Sequence, residues 1–453
     1  MGKKTRQYFG TDGVRGRANT QPMDAETLLK LAKAVCLKFK NGKKHYKVVI
    51  GKDTRLSGYM VEPALTSGFI SMGWDVVILG PVPTPAVSNF TRSLRADLGV
   101  MISASHNPYQ DNGVKFFDSQ GCKLSDDVEA DIEALMNEDL VSILPASENL
   151  GRASRLDDAV GRYAEYTKAT FPRNIRLDGL KIVVDCAHGA AYKVAPQVLW
   201  ELGAEVITIG NKPNGLNIND ECGATHPNTL AATVLREKAD IGFALDGDAD
   251  RVIFCDEKGQ IADGDQIMAL IAVYLKKNGL LKGNGVVTTI MSNMGMEDYL
   301  KGAGINVYRS QVGDRYVIEK MKEEGVNFGG EQSGHIVMDD FATTGDGLIA
   351  ALQVLAVFKE KGGKSSALFH AFDPYPQLMK NVHVTDKTLI EASDVLALKS
   401  EQEKRLGSGR IVLRASGTEP VVRVMAEGKD LTLVEEVVDL LCEAIVHKDK
   451  KRA

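Results

Sequence analysis

Several common signals are missing from this sequence of 453 residues. Its six cysteines form no Cys-x-x-Cys pair, which argues against zinc sites and disulfides and predicts reduced, mostly buried thiols. Basic residues number 55 against 60 acidic ones, and a net charge of −5 gives no basic field for nucleic acid. No apolar run reaches the roughly 18 residues that a membrane-spanning helix requires. We therefore expect neither a nucleic-acid nor a membrane partner.

The first residues also lack a targeting signal. Residues 1–6 are polar and contain no hydrophobic region, so they do not resemble a secretory signal peptide. Arg6 stands where a myristoylation motif requires serine or threonine. These features predict a cytoplasmic protein. Its length predicts three or four domains, because one hydrophobic core cannot serve so long a chain.

The chain contains a loose internal repeat. A short β-branched strand, a helix and a second strand occur three times, within residues 47–79, 180–209 and 285–308. This alternation predicts α/β domains with mixed, mostly parallel sheets, whose ligands gather at the carboxyl ends of the strands. Residues 375–453 lack the repeat and are predicted to form an α+β module that closes with a helix over residues 431–447.

Polar breaks indicate where the domains meet. They lie near residues 149–157, 256–264 and 371–376. Each repeat carries one polar loop downstream, so three similar domains would face one shared cleft. The predicted domains are 1–152, 153–256, 257–372 and 373–453, which carry in turn the four loops described next.

One serine stands at the end of a strand-like run. Residues 98–102 are apolar, and residues 101–108 read Met-Ile-Ser-Ala-Ser-His-Asn-Pro, which places Ser105 just before an Asn-Pro turn. A strand that ends in a tight turn holds a side chain rigidly at the sheet edge, where a nucleophile meets its ligand. No Gly-x-Ser-x-Gly motif surrounds Ser105, which argues against a hydrolase. The alternative is an ordinary polar turn.

Three carboxylates alternate in a second loop. Residues 245–251 read Leu-Asp-Gly-Asp-Ala-Asp-Arg, so Asp246, Asp248 and Asp250 offer hard oxygen ligands that suit Mg²⁺ or Ca²⁺. An EF-hand fits poorly, because Arg251 stands where its loop needs glycine and the flanking runs are typical of strands. The alternative is a solvated acidic turn.

Two further loops combine glycine with polar groups. Residues 329–335 carry Glu331, Ser333 and His335, a set that suits sugar hydroxyls but also occurs in ordinary glycine-rich hairpins. Residues 413–420 read Leu-Arg-Ala-Ser-Gly-Thr-Glu-Pro and are followed by Arg423, a composition typical of a phosphate cradle. The loop lacks the Gly-Lys-Ser/Thr ending of a nucleotide-binding P-loop.

Together these motifs resemble a known family. The four loops occur in the order found in the α-D-phosphohexomutase superfamily, and residues 8–16, Tyr-Phe-Gly-Thr-Asp-Gly-Val-Arg-Gly, resemble its N-terminal signature. Residues 8–16 and 217–226, together with Gln332, are most similar to the bacterial members that act on glucosamine 6-phosphate. The resemblance runs from about residue 8 to residue 447. It implies three similar α/β domains and a C-terminal α+β domain around a central cleft.

The resemblance implies a mechanism based on a phosphoserine. Ser105 would pass its phosphate to O1 of glucosamine 6-phosphate, and the 1,6-bisphosphate would then turn and return its 6-phosphate to Ser105. The bisphosphate would thus serve as intermediate or activator, and glucosamine 1-phosphate would feed UDP-N-acetylglucosamine and cell-wall precursor synthesis. One Mg²⁺ per subunit would be held by Ser105, Asp246, Asp248 and Asp250. Arg15 and Arg251 would stabilise the charge of the transferring group.

The remaining assignments concern the sugar, its phosphate and the proton. By similarity, Glu331 and Ser333 would meet the sugar hydroxyls. The phosphate anchor, on a module that moves as a lid, would consist of Arg414, Ser416, Gly417, Thr418 and Arg423. The proton acceptor stays open among Lys115, His335 and His106, since a lysine base would need a lowered pKa.

Three further segments carry weaker expectations. His188 is expected in a structural turn. Residues 217–226 are expected to shape the junction between the second and third domains. Asp314 and Arg315 either approach a ligand or form a structural ion pair.

Two other functions remain as alternatives. A phosphomannomutase or phosphoglucomutase of the same superfamily would keep the chemistry and change the sugar. A non-catalytic phosphosugar-binding regulator would keep only the binding, but an intact Ser105 and three aspartates argue against it. Monomer and homodimer are both open.

Overall fold

The structure is a computed structural model that describes residues 7–10, 12–415 and 420–452. The described chain divides into two compact units. The first runs to Thr289 and resumes over Tyr308–His370, while the second contains Ile290–Val307 and the chain from Ala371 onward. Within the described residues, no helix has both the length and the apolar character that crossing a membrane requires.

The first sheet of the larger unit has the strand order β1-β5-β4-β2-β3-β6. Its central strands are parallel, and β1 and β5 run antiparallel to their neighbours. The elements are β1 (Val14–Arg17), α1 (Ala25–Phe39), β2 (Tyr46–Lys52), α2 (Gly58–Ser71), β3 (Trp74–Pro81), α3 (Thr84–Ser93), β4 (Leu98–Ile102), β5 (Asp111–Phe117), α4 (Asp126–Leu135) and β6 (Ala153–Arg155).

Apolar side chains fill the space between this sheet and its helices. Val48, Ile50 and Val100 of the central strands are fully buried, as β-branched residues of a doubly covered parallel sheet should be. Trp74 stacks on Tyr46 with ring centroids 4.8 Å apart. This core fixes the carboxyl ends of β2 and β4, where the candidate site begins.

The second sheet has the order β11-β10-β9-β7-β8. Its strand β7 pairs in parallel with β8 and β9, whereas β9 and β10 form an antiparallel pair. The elements are α5 (Ala159–Ala169), β7 (Lys181–Asp185), α6 (Val194–Glu201), β8 (Glu205–Ile209), α7 (Asn228–Glu237), β9 (Ile241–Leu245), β10 (Val252–Asp256) and β11 (Ile261–Ala262).

The third sheet has the order β13-β12-β14-β15. Strands β12 and β14 are parallel, and β14 and β15 antiparallel. The elements of this stretch of chain are α8 (Gly264–Lys277), β12 (Gly285–Thr289), α9 (Met294–Gly302), β13 (Asn306–Ser310), α10 (Asp314–Glu324), β14 (Phe328–Gly330), β15 (Ile336–Met338), α11 (Gly347–Lys361) and α12 (Ser366–Phe369).

The smaller unit is built on an antiparallel sheet of order β16-β18-β17. Val422, Val424 and Leu441 lie in its own buried core. It also includes α9, which belongs to this unit although it lies between strands of the third sheet in the sequence. Its remaining elements are β16 (Gln377–His383), α13 (Ser393–Leu406), β17 (Arg410–Ala415), β18 (Val421–Glu427) and α14 (Leu431–Arg452).

The predicted mixed, mostly parallel α/β architecture is confirmed. All three predicted strand–helix–strand repeats form, and the closing helix forms as α14. The predicted break at residues 149–157 contains β6, which pairs with β3 of the first sheet. The division into domains 1–152, 153–256, 257–372 and 373–453 stays a prediction. All six cysteines are free, and Cys36, Cys186, Cys222 and Cys255 are buried.

Candidate active site

The candidate nucleophile lies in a tight turn after β4. Ser105 adopts the left-handed conformation, at φ +52°, which residues other than glycine seldom do. Its amide donates to Ser103 Oγ over 2.9 Å, and Ser103 Oγ donates to Asp53 Oδ2 over 2.6 Å. Only 1 % of Ser105 is exposed. Since the surrounding hydrogen bonds determine the turn, its hydroxyl has a fixed direction.

A buried ion pair that none of the predicted site motifs contains supports this turn. Arg55 Nε donates to Asp53 Oδ2 over 2.8 Å. Its Nη2 donates to the carbonyls of Ser105 (2.9 Å) and Asn107 (2.8 Å), and its Nη1 to that of Asp111 (3.0 Å). The available signal was an Asp-x-Arg sequence directly after β2, which pairs with β4.

The three aspartates converge on the serine. Asp246, Asp248 and Asp250 lie between β9 and β10, are buried, and offer oxygens that all lie within 4.8 Å of one another. Ser105 Oγ donates to Asp246 Oδ2 over 2.6 Å. This approach requires glycine at position 247, because a Cβ there would lie 2.5 Å from the Ser105 carbonyl oxygen. The structure therefore brings together two loops that are far apart in the sequence.

These carboxylates fit a hard divalent cation. Oδ1 of Asp248 is buried and accepts no hydrogen bond from the described residues. Oδ1 of Asp250 is also buried, and it lies 3.5 Å from His335 Nδ1 and 3.9 Å from Arg251 Nε. Burial, followed by the charges of Asp250 and Asp248, raises the pKa of Asp246 to about 8. Buried carboxylates with unsatisfied oxygens are costly unless a cation compensates them. A set made only of oxygen ligands suits Mg²⁺ or Ca²⁺.

Lys115 of β5 is a buried ammonium group. Its Nζ lies 2.9 Å from Asp248 Oδ2, 3.4 Å from Asp250 Oδ2 and 3.1 Å from Asp12 Oδ2. Burial disfavours the charge, but the three carboxylates outweigh it and raise the pKa of Lys115 well above its usual range. In this arrangement Lys115 supplies positive charge and cannot accept a proton.

His106 is the candidate acceptor next to the serine. Its Nδ1 lies 3.4 Å from Ser105 Oγ and 3.2 Å from Arg251 Nη1. Burial, with the positive charges of Arg251 and Arg15, lowers the pKa of His106 to about 4. The ring is therefore neutral at pH 7, and Nδ1 accepts the hydrogen bond that the guanidinium donates.

His335 occupies the other side of the carboxylates. Its Nδ1 lies 3.5 Å from Asp250 Oδ1, and the Gly345 amide donates to Nε2 over 3.1 Å. This geometry assigns the ring proton to Nδ1. Burial lowers the pKa of His335, but the charges of Asp250 and Asp314 raise it above its usual value. A backbone bridge between His335 and Arg251 joins residues 329–335, the predicted sugar loop, to residues 245–251, the predicted metal loop.

Two arginines contribute positive charge to the site. Arg15 of β1 pairs with Asp12, and Arg251 Nε lies 3.9 Å from Asp250 Oδ1. Burial opposes both charges, but the surrounding carboxylates raise the pKa of each guanidinium. The Nε atoms of Arg15 and Arg251 are buried and donate no hydrogen bond within the described part of the chain. Both arginines thus retain a donor for an anionic ligand.

The predicted sugar loop joins β14 to β15. Glu331 Oε1 accepts a hydrogen bond from the Gly313 amide over 2.9 Å, and Oε2 accepts one from Ser333 Oγ over 3.2 Å. Glu331 is buried, whereas Ser333 is exposed. Gln332 points back to the N-cap of α8, where its amide donates to Asp263 Oδ2 over 3.2 Å. The loop therefore presents Ser333, supported by a fixed carboxylate.

The predicted phosphate anchor belongs to the smaller unit. Arg414 of β17 and Arg423 of β18 are direct cross-strand partners. Their side chains therefore lie on the same face of the sheet. The other anchor residues, Ser416, Gly417 and Thr418, lie outside the described residues.

The weaker expectations also have places in the structure. His188 lies in the left-handed conformation, at φ +49°, in the turn after β7. Asp314 pairs with Lys123 over 2.5 Å, and Arg315 pairs with Glu129 over 3.0 Å. Both Asp314 and Arg315 thus take part in ion pairs of the larger unit.

The loop at residues 217–226 contacts the turn that carries Ser105. Asn219 Nδ2 donates to the carbonyls of Ser105 (2.9 Å) and Asn107 (3.1 Å). The loop therefore contacts the serine turn of the first sheet. The expectation that it shapes the junction between the second and third domains did not include this contact.

Comparison with known proteins gives the family. Residues 6–141, 161–259 and 263–375 match alpha/beta/alpha domains I, II and III of the phosphoglucomutase/phosphomannomutase family, and residues 379–444 match its C-terminal domain. The chain belongs to this family. The predicted membership of the α-D-phosphohexomutase superfamily is thereby confirmed.

Individual phosphohexomutases resemble the whole chain. The phosphoglucosamine mutase of Parvibaculum lavamentivorans is 58 % identical over 443 residues, which cover 98 % of this chain and 99 % of that protein. A phosphoglucomutase/phosphomannomutase family protein from Burkholderia thailandensis has the same fold, with a TM-score of 0.79 at 22 % identity over 96 % of this chain and 97 % of its own.

A third relative was solved with ligands. The N-acetylphosphoglucosamine mutase of Aspergillus fumigatus, in complex with GlcNAc-6P and magnesium, has a TM-score of 0.69 at 19 % identity, over 97 % of this chain and 96 % of that one. At such identities a structural likeness shows the fold alone. Membership of the family makes the chain an isomerase that moves a phosphoryl group within a hexose phosphate.

Proposed function

We propose that the protein interconverts glucosamine 6-phosphate and glucosamine 1-phosphate. The observation that carries the proposal is the buried hydroxyl of Ser105, which donates to one of three convergent carboxylates over 2.6 Å. The similarity to phosphoglucosamine mutases at 58 % identity supports the choice of sugar. In this proposal the protein acts in the cytoplasm, and its product serves UDP-N-acetylglucosamine and cell-wall precursor synthesis.

Ser105 would carry the phosphoryl group between the two hydroxyls of the sugar. In the first step the bond between phosphorus and Ser105 Oγ breaks and a bond to O1 of glucosamine 6-phosphate forms, so that a 1,6-bisphosphate results. In the second step phosphorus at O6 returns to Ser105 Oγ, which leaves glucosamine 1-phosphate. Each hydroxyl that attacks must lose a proton, and each oxygen that leaves must be compensated or protonated.

Asp246, Asp248 and Asp250 would hold one Mg²⁺, with an oxygen of the Ser105 phosphate as a further ligand. When bound, the cation neutralises charge on the phosphoryl group and makes the serine oxygen a better leaving group. The unsatisfied Oδ1 atom of Asp248 supports this assignment.

The cationic side chains would stabilise the transferring group. Lys115 is held charged by its carboxylate neighbours, and Arg251 lies beside the serine through its hydrogen bond to His106. Arg15 adds a third positive charge from β1, the strand that pairs with β5. Positive charges that are already fixed need no reorganisation when negative charge develops during transfer.

His106 would accept the proton. Among the three candidates it alone has a lowered pKa, and its Nδ1 lies 3.4 Å from Ser105 Oγ. Because Nδ1 accepts a hydrogen bond from Arg251 Nη1, the guanidinium would have to leave Nδ1 for the phosphoryl group before the proton arrives. Lys115 and His335 both have raised pKa values, which suits groups that hold charge or donate a proton. Exchange of His106 for asparagine should therefore remove the lower limb of the pH–rate profile, whereas exchange of Lys115 for methionine should lower kcat at every pH.

Substrate recognition would use the other two loops. Ser333, with Glu331 behind it, would bind hydroxyls of the sugar. Arg414 and Arg423, with Ser416, Gly417 and Thr418, would bind whichever phosphate is not reacting. Because one anchor must serve both orientations of the bisphosphate, its two arginines would bind the 6-phosphate and the 1-phosphate with similar affinity.

Two measurements test the proposal together. Turnover of glucosamine, glucose and mannose 6-phosphates is compared side by side, and peptide mapping locates the phosphate. We expect the highest kcat/KM for glucosamine 6-phosphate and phosphate on Ser105. A higher kcat/KM for mannose or glucose would identify a different mutase of the same family, and binding without turnover would identify a regulator.

A further inference from the structure

Two side chains donate hydrogen bonds to the backbone of the serine turn, which comprises residues 103–108. Arg55 Nη2 donates to the carbonyl oxygens of Ser105 (2.9 Å) and Asn107 (2.8 Å). Asn219 Nδ2 donates to the same two oxygens, over 2.9 Å and 3.1 Å. Two donors from different parts of the chain therefore share one pair of acceptors.

Asn219 is itself rigidly placed. It adopts the left-handed conformation, at φ +58°, and its amide donates to the Ala187 carbonyl over 2.9 Å. Only 6 % of the residue is exposed. Its Nδ2 must face the turn, because both partners are carbonyl oxygens and only the NH₂ group can donate to them. Its Oδ1 is buried and accepts no hydrogen bond within the described part of the chain, so the side chain is oriented by its donor bonds.

The metal loop packs on the same carbonyl. A Cβ at Gly247 would lie 2.5 Å from the Ser105 carbonyl oxygen and 2.8 Å from Asn219 Nδ2. Asn219 follows β8 and Gly247 follows β9, so both lie in loops of the second sheet. The loop of Gly247 also carries Asp246. One carbonyl group thus links the nucleophile of the first sheet to the carboxylate loop of the second.

We propose that Asn219 and Arg55 are positioning residues for the nucleophile. Arg55 holds the turn to its own sheet, and Asn219 sets the turn in register with the loop that carries Asp246. This inference rests on the proposed function, in which Ser105 carries the phosphate. An error of about 1 Å in the placement of a reacting group can cost roughly 100-fold in rate. Loss of the Asn219 donor should therefore lower transfer without weakening substrate binding.

Two substitutions at position 219 separate the donor from the backbone. Asn219→Asp keeps the size and tolerates the left-handed conformation, but it turns an acceptor toward two carbonyl oxygens. Asn219→Gly keeps the conformation and removes the side chain. The matched control is Asn214→Asp in the same loop, because Asn214 is exposed and its Oδ1 accepts from the Leu216 amide over 2.8 Å, which aspartate also does.

The enzyme is loaded with glucose 1,6-bisphosphate, and transfer to glucosamine 6-phosphate is followed in single turnovers and at steady state. Both variants at position 219 should lose about ten- to a hundredfold in kcat, with KM within about twofold of wild type. The ³¹P resonance of the phosphoserine should shift in both variants. Asn214→Asp should match wild type in every measurement. A purely structural effect would lower thermal stability and leave the resonance of the folded fraction in place.

The inference is overturned if Asn219→Gly retains kcat within about twofold of wild type. It is equally overturned if KM rises as far as kcat falls, since Asn219 would then act in substrate binding. If Asn219→Asp does not fold, Asn219→Gly and Arg55→Lys decide, because lysine keeps the charge beside Asp53 but cannot span both carbonyls. Inactive wild type and inactive Asn214→Asp would instead refute the proposed function.

Discussion

Replacement by asparagine should change the stability of the metal-free protein in opposite directions at Asp246 and at Asp248, although both are proposed metal ligands. Burial and two neighbouring carboxylates raise the pKa of Asp246 to about 8 from a usual 3.8. The folded state therefore binds a proton that the unfolded state releases between these values, so stability falls as pH rises through this window. At about 1.4 kcal/mol per pKa unit, the free energy of unfolding of the metal-free protein is about 4 kcal/mol lower at pH 7 than at a pH below this window.

Asp246→Asn should remove this loss. In EDTA at pH 7 it should stabilise the protein by up to about 4 kcal/mol. The gain should be smaller at about pH 5.5, because that pH lies closer to the pKa of Asp246 in the unfolded chain. Asp248→Asn should destabilise it by about 3 kcal/mol, because it breaks a buried ion pair with Lys115 at 2.9 Å. Lys115 keeps Asp12 and Asp250 as partners, which holds the loss near the lower end of the range for buried pairs.

Urea unfolding of the metal-free proteins measures the two stabilities, and calorimetry in buffers of different ionisation enthalpy counts protons. Since Mg²⁺ requires the carboxylate, wild type should release close to one proton on binding at pH 7 and almost none above pH 9. Asp246→Asn should bind Mg²⁺ more weakly and release none. Equal destabilisation by both substitutions, with no proton released by wild type at pH 7, would refute this account of the site.

Three further predictions concern other parts of the molecule. Ser105→Ala should abolish nearly all turnover and the phosphopeptide, while circular dichroism shows an intact fold. Arg423→Ala should lower kcat/KM about ten- to a hundredfold for both monophosphates and release bisphosphate during turnover, and an effect on one monophosphate alone would contradict a shared anchor. Burial raises the pKa of Asp346 to about 6, so stability falls between pH 4 and 6, and Asp346→Asn should gain about 3 kcal/mol at pH 7 in urea unfolding.

Local patterns were sufficient to predict the elements and the loops that they carry. Short β-branched runs formed parallel strands because both faces of such sheets are buried. The turn after residues 98–102 and the loop at residues 245–251 therefore fell at strand ends, where the carboxyl edges of parallel strands collect polar side chains. The same reasoning could not assign α9 to a unit, because an amphipathic pattern shows that a helix has a buried face but not which core covers it.

The supports of the nucleophile could not be predicted in this way. Arg55 lies 50 residues before Ser105 and Asn219 lies 114 residues after it. Both donate to backbone carbonyls, and a carbonyl is present at every position, so no residue type marks the contact. An arginine after a strand and an asparagine in a polar loop are each common, and only the fold shows that they share two acceptors.

The protonation states of the site residues could not be predicted from the sequence either. Its closeness to the serine loop in the sequence makes Lys115 a candidate base. The structure surrounds its ammonium group with carboxylates from residues 12, 248 and 250, which reverses the expected direction of its pKa shift. A pKa depends on the number of charges within a few ångströms, and these charges come from two segments that are far from Lys115 in the sequence.

The arrangement of these charges explains why Asp246 differs from its neighbours. Buried carboxylates and basic side chains alternate around a closed ring, each in contact with the next: Asp12, Lys115, Asp250, His335, Asp314 and Lys123. Asp248 joins the ring through Lys115, whereas no lysine, arginine or histidine of the described chain forms an ion pair with Asp246. Its partners are the Ser105 hydroxyl and a backbone amide. The charge of Asp246 therefore depends on what binds beside Ser105, so the arrival of a cation and the ionisation of this one carboxylate become a single event at the nucleophile.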